Sequence, residues 1–266
     1  MTTLRRGVGL TPMETRRDLI VRTAVLAEEL GYEIFALPEG WGLDAVPVLT
    51  EIAVRTARIN LASGILSVWG RTPATLAMTA ATLHQLSGGR YVLGLGASTK
   101  ALTEGFHDIA FEHPAAKLRD VVTRVRALLA GQPAQLGNAA AARPLRLGQP
   151  PAPEVPIWVA ALGPHTTRVA AELGDGWIPA LVARDRLPGW ATQLRQLREA
   201  AAPDARAHGS GRAAHRCRRQ CRDRPGHRRR LHRLVPGRDG GRLRPIRVRP
   251  RLCHAGPSDH RGEPAP

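Results

Sequence analysis

Apolar residues along the chain fall into two alternating patterns: short continuous runs, and longer stretches with helical spacing. Residues 7–10 (GVGL) form the first short run. Residues 14–30 follow, with Leu19, Ile20, Val25, Leu26 and Leu30 recurring at the spacing of one helix face. Gly31 closes that stretch, a residue type that readily takes the left-handed conformation after a helix. The alternation continues with strands expected at 33–37 (EIFAL), 59–66 (INLASGIL), 91–95 (YVLGL), 155–160 (VPIWVA) and 176–181 (GWIPAL). Helices are expected at 45–55, 72–86, 115–129, 166–173 and 186–200. The 91–95 run is apolar throughout, as suits a strand covered on both faces. Residues 131–153, rich in Gly, Pro and Ala, read as an insertion loop.

Strands alternating with helices predict a parallel sheet in an α/β fold. Two architectures compete. A doubly wound dinucleotide-binding sheet needs G-x-G-x-x-G directly after its first strand, and GVGLTP has no third glycine. A (β/α)8 TIM barrel is therefore expected. Residues 1–202 supply about six of its eight units, so the barrel reads as incomplete.

Composition changes this picture only at the C-terminal end. The formal charge of +17 is uneven: residues 203–266 hold 18 of the 39 Lys and Arg and 5 of the 22 Asp and Glu. That stretch carries a net +13, and residues 1–202 carry +4. All 10 aromatic residues lie in 1–202, and all 3 cysteines lie in 203–266. Two domains are therefore expected: a barrel over 1–202 and an Arg/Pro/Gly-rich, disordered tail over 203–266. The tail lacks lysine and aromatics, which distinguishes it from an ordinary nucleic-acid-binding arm. Its blend of Arg, Pro, Gly, Ala and His is what a GC-rich gene yields when read out of frame. His215, Cys217 and Cys221 lack a second ligand pair at zinc spacing, so no metal is expected. The N-terminus has no long apolar segment and no run spans a membrane, so a cytoplasmic enzyme is expected.

The segment RTPATLAMTAATLHQLSGGRYVLGLGAS, residues 71–98, resembles the luciferase-like monooxygenase family. AEELGYEIFALPEG (27–40) and PIWVAALGPHTTRVAAELGDGWI (156–178) resemble that family's second strand and its phosphate loop after the fifth strand. The resemblance implies a TIM barrel that binds a reduced flavin-type cofactor at the C-terminal ends of its strands. F420 is favoured, with FMN the alternative, for hydride transfer or monooxygenation of a small organic substrate. No membrane and no specific nucleic acid are expected as partners, and a homodimer is left open. Two rival readings remain: a basic nucleic-acid-binding protein acting through the tail, and a truncated barrel without activity.

Candidate chemistry lies where strands give way to helices. Ala161, Leu162, Gly163, Pro164, His165 and Thr166 run from a strand into a helix start. Free N–H groups and the positive end of the helix dipole make such a corner an anion site, although a Thr-capped turn has the same sequence. The resemblance assigns it a cofactor phosphate. It also places Gly64 and Ile65 in a strand bulge against the cofactor ring, where a Cβ on Gly64 would intrude. Gly96, Ala97 and Ser98 follow the fourth strand and are expected to touch the cofactor. Glu39 and Trp41 follow the second strand, as Glu-Gly-Trp where many relatives carry histidines. Glu39, Trp41 and Glu104 are the catalytic candidates, with Glu39 also counted among the cofactor-binding residues. His84, mid-helix, reads as a surface residue, while His107 and His113 fall in the loop after the fourth strand.

Overall fold

The computed structural model describes residues 6–137, 142–180 and 182–207. The chain divides into two units, residues 1–220 and 221–266, and the second lies wholly outside the described residues. The expectation of a disordered tail falls almost entirely there too.

Six strands form one parallel sheet: β1 (Gly7–Gly9), β2 (Ile34–Pro38), β3 (Asn60–Ser67), β4 (Tyr91–Gly96), β5 (Ile157–Ala160) and β6 (Gly176–Ile178). Among the described residues seven helices accompany them: α1 (Arg17–Glu29), α2 (Ala45–Arg55), α3 (Pro73–Leu86), α4 (Lys100–Gly105), α5 (Pro114–Leu129), α6 (Pro164–Leu173) and α7 (Leu187–Ala207). The strand order is β1-β2-β3-β4-β5-β6, with every neighbouring pair parallel. A doubly wound sheet reverses direction at a switch point, whereas this order never reverses. Sequential parallel winding is that of an α/β barrel, here as six consecutive units with β1 and β6 at the sheet's ends among the described residues.

Local chemistry explains the element boundaries. Asp44 caps α2 by accepting from the Val46 N–H at 2.9 Å, and Thr72 caps α3 by accepting from Thr75, with Pro73 at the first helical position. Helix α1 ends on Gly31 (φ 77°), whose successor Tyr32 bonds back to the Ala27 carbonyl at 2.9 Å. Strand β4 is buried along its whole length, while β1 and β6 are half-exposed. Helix α4 was absent from the expected elements, because six residues between two loops carry no helical period. Helix α7 extends seven residues past the expected end at residue 200.

The end of the sheet opposite the strand C-termini is locked by two charged side chains. Arg90, the last residue of LSGGR, donates to the carbonyls of Ser87, Ile59, Ala53 and Thr56 at 2.6–2.9 Å. Glu28 accepts from the backbone N–H groups of Ala57, Arg58 and Ile59. His84 is half-buried, not on the open surface, and its Nε2 lies 3.1 Å from Glu154.

Candidate functional site

Because all six strands run the same way, the segments that follow them gather at one end of the sheet. The expected bulge on β3 is present there. Leu37 pairs with Ser63 but Pro38 pairs with Ile65, so Gly64 is skipped. On the other side the register slips between Ala62 and Leu66. Pro38 has no N–H to continue the ladder, and the bulge falls opposite it. The Ser63 hydroxyl patches the interruption, accepting from the Gly94 N–H at 2.8 Å and donating to the Gly94 carbonyl at 3.0 Å. The buried Tyr91 hydroxyl donates to the same Ser63 oxygen at 3.2 Å. A Cβ on Gly64 would stand 2.6 Å from the Pro38 nitrogen. The neighbouring strand is therefore enough by itself to require glycine here. Ile65 reaches across to β4: a Cβ on Gly96 would lie 3.2 Å from its Cδ1 and 3.3 Å from the Ala160 Cβ.

Glu39, just past β2, does not stand free. Both of its oxygens accept from the Arg71 guanidinium, which also donates to Asp44 Oδ1 at 2.8 Å, and Glu39 Oε1 takes the Ala45 N–H at 3.2 Å. The hydrogen bonds it donates to Glu39 raise the Arg71 guanidinium above its ordinary value, against the pull of burial, so it stays charged. Arg71, the first residue of the RTPATL segment, is a site residue that its place in the sequence does not mark. It makes Glu39 an oriented, charge-compensated group instead of an isolated base. Trp41 is 51 % exposed two residues further on.

The strand-to-helix corner after β5 meets a partner that sequence spacing does not reveal. A groove of about 470 Å3 is lined by His113–Ala116 at the start of α5 and by Gly163–Thr166 at the start of α6. Both helices begin with Pro, neither has a side-chain cap, and neither has an acid in its first turn. A helix start leaves its first N–H groups without intrahelical acceptors, and Ala115, Ala116, His165 and Thr166, which line this groove, all lie in such first turns. Two helix dipoles add their positive ends. Thr166 and Thr167 hydroxyls donate to the Gly163 carbonyl at 3.0 and 2.9 Å, and Thr167 is buried, so it takes no part. Ser98, after β4, holds a left-handed φ of 59°, unusual for a residue with a side chain.

Other candidates stand apart from this groove or beside it. Glu104 on α4 faces Lys100 at 3.7 Å and accepts from the Phe111 N–H at 3.2 Å, ordering its own loop. Leu162 is 47 % exposed, whereas Ala161 is buried and its carbonyl accepts from the Trp177 indole at 2.8 Å. No group of three or more His, Cys, Asp or Glu that could hold a metal occurs among the described residues. No helix among them is long and apolar enough to cross a membrane.

The fold is that of an α/β barrel, with a groove between two helix starts at the C-terminal ends of its strands. The sequence pattern of the luciferase-like monooxygenases matches residues 1–225, and the chain belongs to that family. It is 31 % identical over 187 residues to a protein of Mycobacterium tuberculosis named as a coenzyme F420-dependent oxidoreductase, covering 64 % of this chain and 52 % of that one. It is 33 % identical over 153 residues to 5,10-methylenetetrahydromethanopterin reductase of Archaeoglobus fulgidus, covering 57 % and 46 %. The chain therefore spans about half the length of the curated relatives it matches. Among solved structures, an F420-dependent secondary alcohol dehydrogenase carrying an F420–acetone adduct superposes with a TM-score of 0.65 at 18 % identity, over 74 % of this chain and 64 % of that one. The oxygenating constituent of 3,6-diketocamphane monooxygenase from Pseudomonas putida, in complex with FMN, superposes at 0.62 and 18 %, over 74 % and 63 %. At such identities these two likenesses show the fold alone.

Proposed function

We propose that this chain is an oxidoreductase working through a reduced flavin-type cofactor, F420 in preference to FMN, on a small organic substrate. The observation that carries the reading is the groove between α5 and α6. Four first-turn backbone N–H groups, two helix starts and no carboxylate in either first turn suit an anionic phosphate group. Ala115, Ala116, His165 and Thr166 would hold that phosphate, with Gly163 and Pro164 shaping the turn. Gly64, Ile65, Gly96, Ala97 and Ser98 would face the rest of the cofactor. The cofactor supplies the hydride-transfer or oxygen-activating chemistry, and the protein supplies orientation and electrostatics.

Glu39 acts in this reading as an orienting residue beside the ring, because Arg71 already occupies both of its oxygens. Trp41 and Leu162, exposed on the loops after β2 and β5, offer apolar surface to the substrate. F420 is preferred because Glu39-Gly40-Trp41 lacks the histidines many relatives carry there, and because F420 appears in the names of several similar proteins.

Fluorescence titration of the chain with F420 and with FMN tests the reading. Saturable binding in the micromolar range is expected, a level set by one phosphate cradle and a partly covered ring. Binding of FMN alone would reverse the cofactor preference. Binding of neither would remove the functional reading.

A further inference from the structure

Trp69, just past β3, joins three elements that surround the cofactor-facing turn Ala97–Ser98. Its indole Nε1–H donates to the Ala97 carbonyl at 2.8 Å. Its ring packs on Phe111, with centroids 5.7 Å apart and planes inclined by 46°. The Lys117 ammonium lies 5.6 Å from its centroid, and Lys117 stands on α5 one residue beyond Ala116 of the groove. One half-buried side chain thus braces the end of β4, the loop before α5 and the first turn of α5.

The Ala97 carbonyl and the Ser98 N–H share one peptide plane. In a trans peptide they point in opposite directions, so fixing the carbonyl toward Trp69 aims the Ser98 N–H away from it. No group among the described residues accepts that N–H. Ser98 is moreover one of three non-glycine residues with positive φ among the described residues, and all three, Ser98, Asp108 and His113, bracket this same loop. A left-handed residue relaxes readily when its bracing contact goes.

We propose that Trp69 is a positioning residue of the cofactor site, holding the Ala97–Ser98 peptide so that the Ser98 N–H donates to an acceptor atom of the bound cofactor. The proposal rests on the cofactor reading above. It adds a specific donor and the side chain that aims it. Trp69→Phe keeps a six-membered ring beside Phe111 but deletes the pyrrole half of the indole with its N–H, so the peptide is released while an aromatic contact to the loop remains.

Two measurements on the full chain decide it, with F420 and FMN each used as the probe. In the wild type, the Ser98 amide resonance should shift on cofactor addition, and the Trp69 indole N–H should exchange more slowly when cofactor is bound. In Trp69→Phe, cofactor affinity should fall about tenfold, the worth of one hydrogen bond, while the thermal midpoint falls by only about 2–4 °C. An unmoved Ser98 amide, or equal indole exchange with and without cofactor, overturns the proposal while leaving the cofactor reading in place. These wild-type signals stand even if the variant does not fold. Failure of the wild type to bind either probe overturns both.

Discussion

Arg90 illustrates how a conspicuous residue can be structural. Its guanidinium ties four carbonyls from α2, the α2–β3 turn and the LSGGR turn at the end of the sheet remote from the candidate site. Arg90→Met strips those charge-assisted bonds and strands several carbonyls. It should cost about 3 kcal/mol or more in urea unfolding and leave cofactor affinity per folded molecule unchanged. Gly64 makes the converse point. The sequence marked it correctly as a bulge and set its need for glycine against the cofactor, while a Cβ there would also stand 2.6 Å from Pro38. Gly64→Ala should therefore destabilise the fold by roughly 1–3 kcal/mol, an overpacking cost read from the denaturant midpoint. An unchanged midpoint would return the glycine to a purely ligand-facing role. Arg71 was legible as a residue and not as a partner, since nothing in a linear sequence sets it against Glu39 32 positions away.

At the scale of elements, the helices were read well because their apolar faces repeat at the helical period and their ends carry Asp44, Thr72, Pro73 and Gly31. Helix α4 was missed because six residues cannot display a period. The start of α6 gives a prediction in which stability and binding move apart. Thr166→Glu places a carboxylate at the positive end of a helix, which should leave folding unchanged or raise it by about 0.3–1 kcal/mol. The same charge would repel a phosphate from the groove, so cofactor affinity should drop by at least roughly tenfold. Equal affinity would separate the phosphate from this helix. Glu28 gives a pH dependence at the α1–β3 junction. Burial pushes its carboxyl up, but the N–H groups of Ile59, Arg58 and Ala57 outweigh that and hold it below 4.5. A lowered folded value means the contribution is full above the ordinary carboxylate range and fades as the pH falls through the folded value. The stability difference between wild type and Glu28→Gln, followed by urea unfolding, should shrink on acidification below about pH 4 and be constant at neutral pH.

For the whole molecule, alternation of strand and helix was enough to choose a parallel sheet, and the missing third glycine after β1 was enough to prefer a barrel. The groove was only half legible. ALGPHTT announced one helix start, but its partner at His113–Ala116 lies some 50 residues earlier and meets it only because β4 and β5 are adjacent in the sheet. No periodicity encodes such a meeting. It is a consequence of winding six units in one sense.

The claim at the centre of this account is that the α5 and α6 starts together seat the phosphate of a flavin-type cofactor. A crystal structure of the chain with F420 or FMN bound tests it most directly. Phosphate oxygens should lie within hydrogen-bonding distance, about 2.7–3.2 Å, of the backbone nitrogens of His165 and Thr166, with Ala115 or Ala116 closing the other side. A cofactor bound with its phosphate elsewhere, and the groove holding only water, would contradict it.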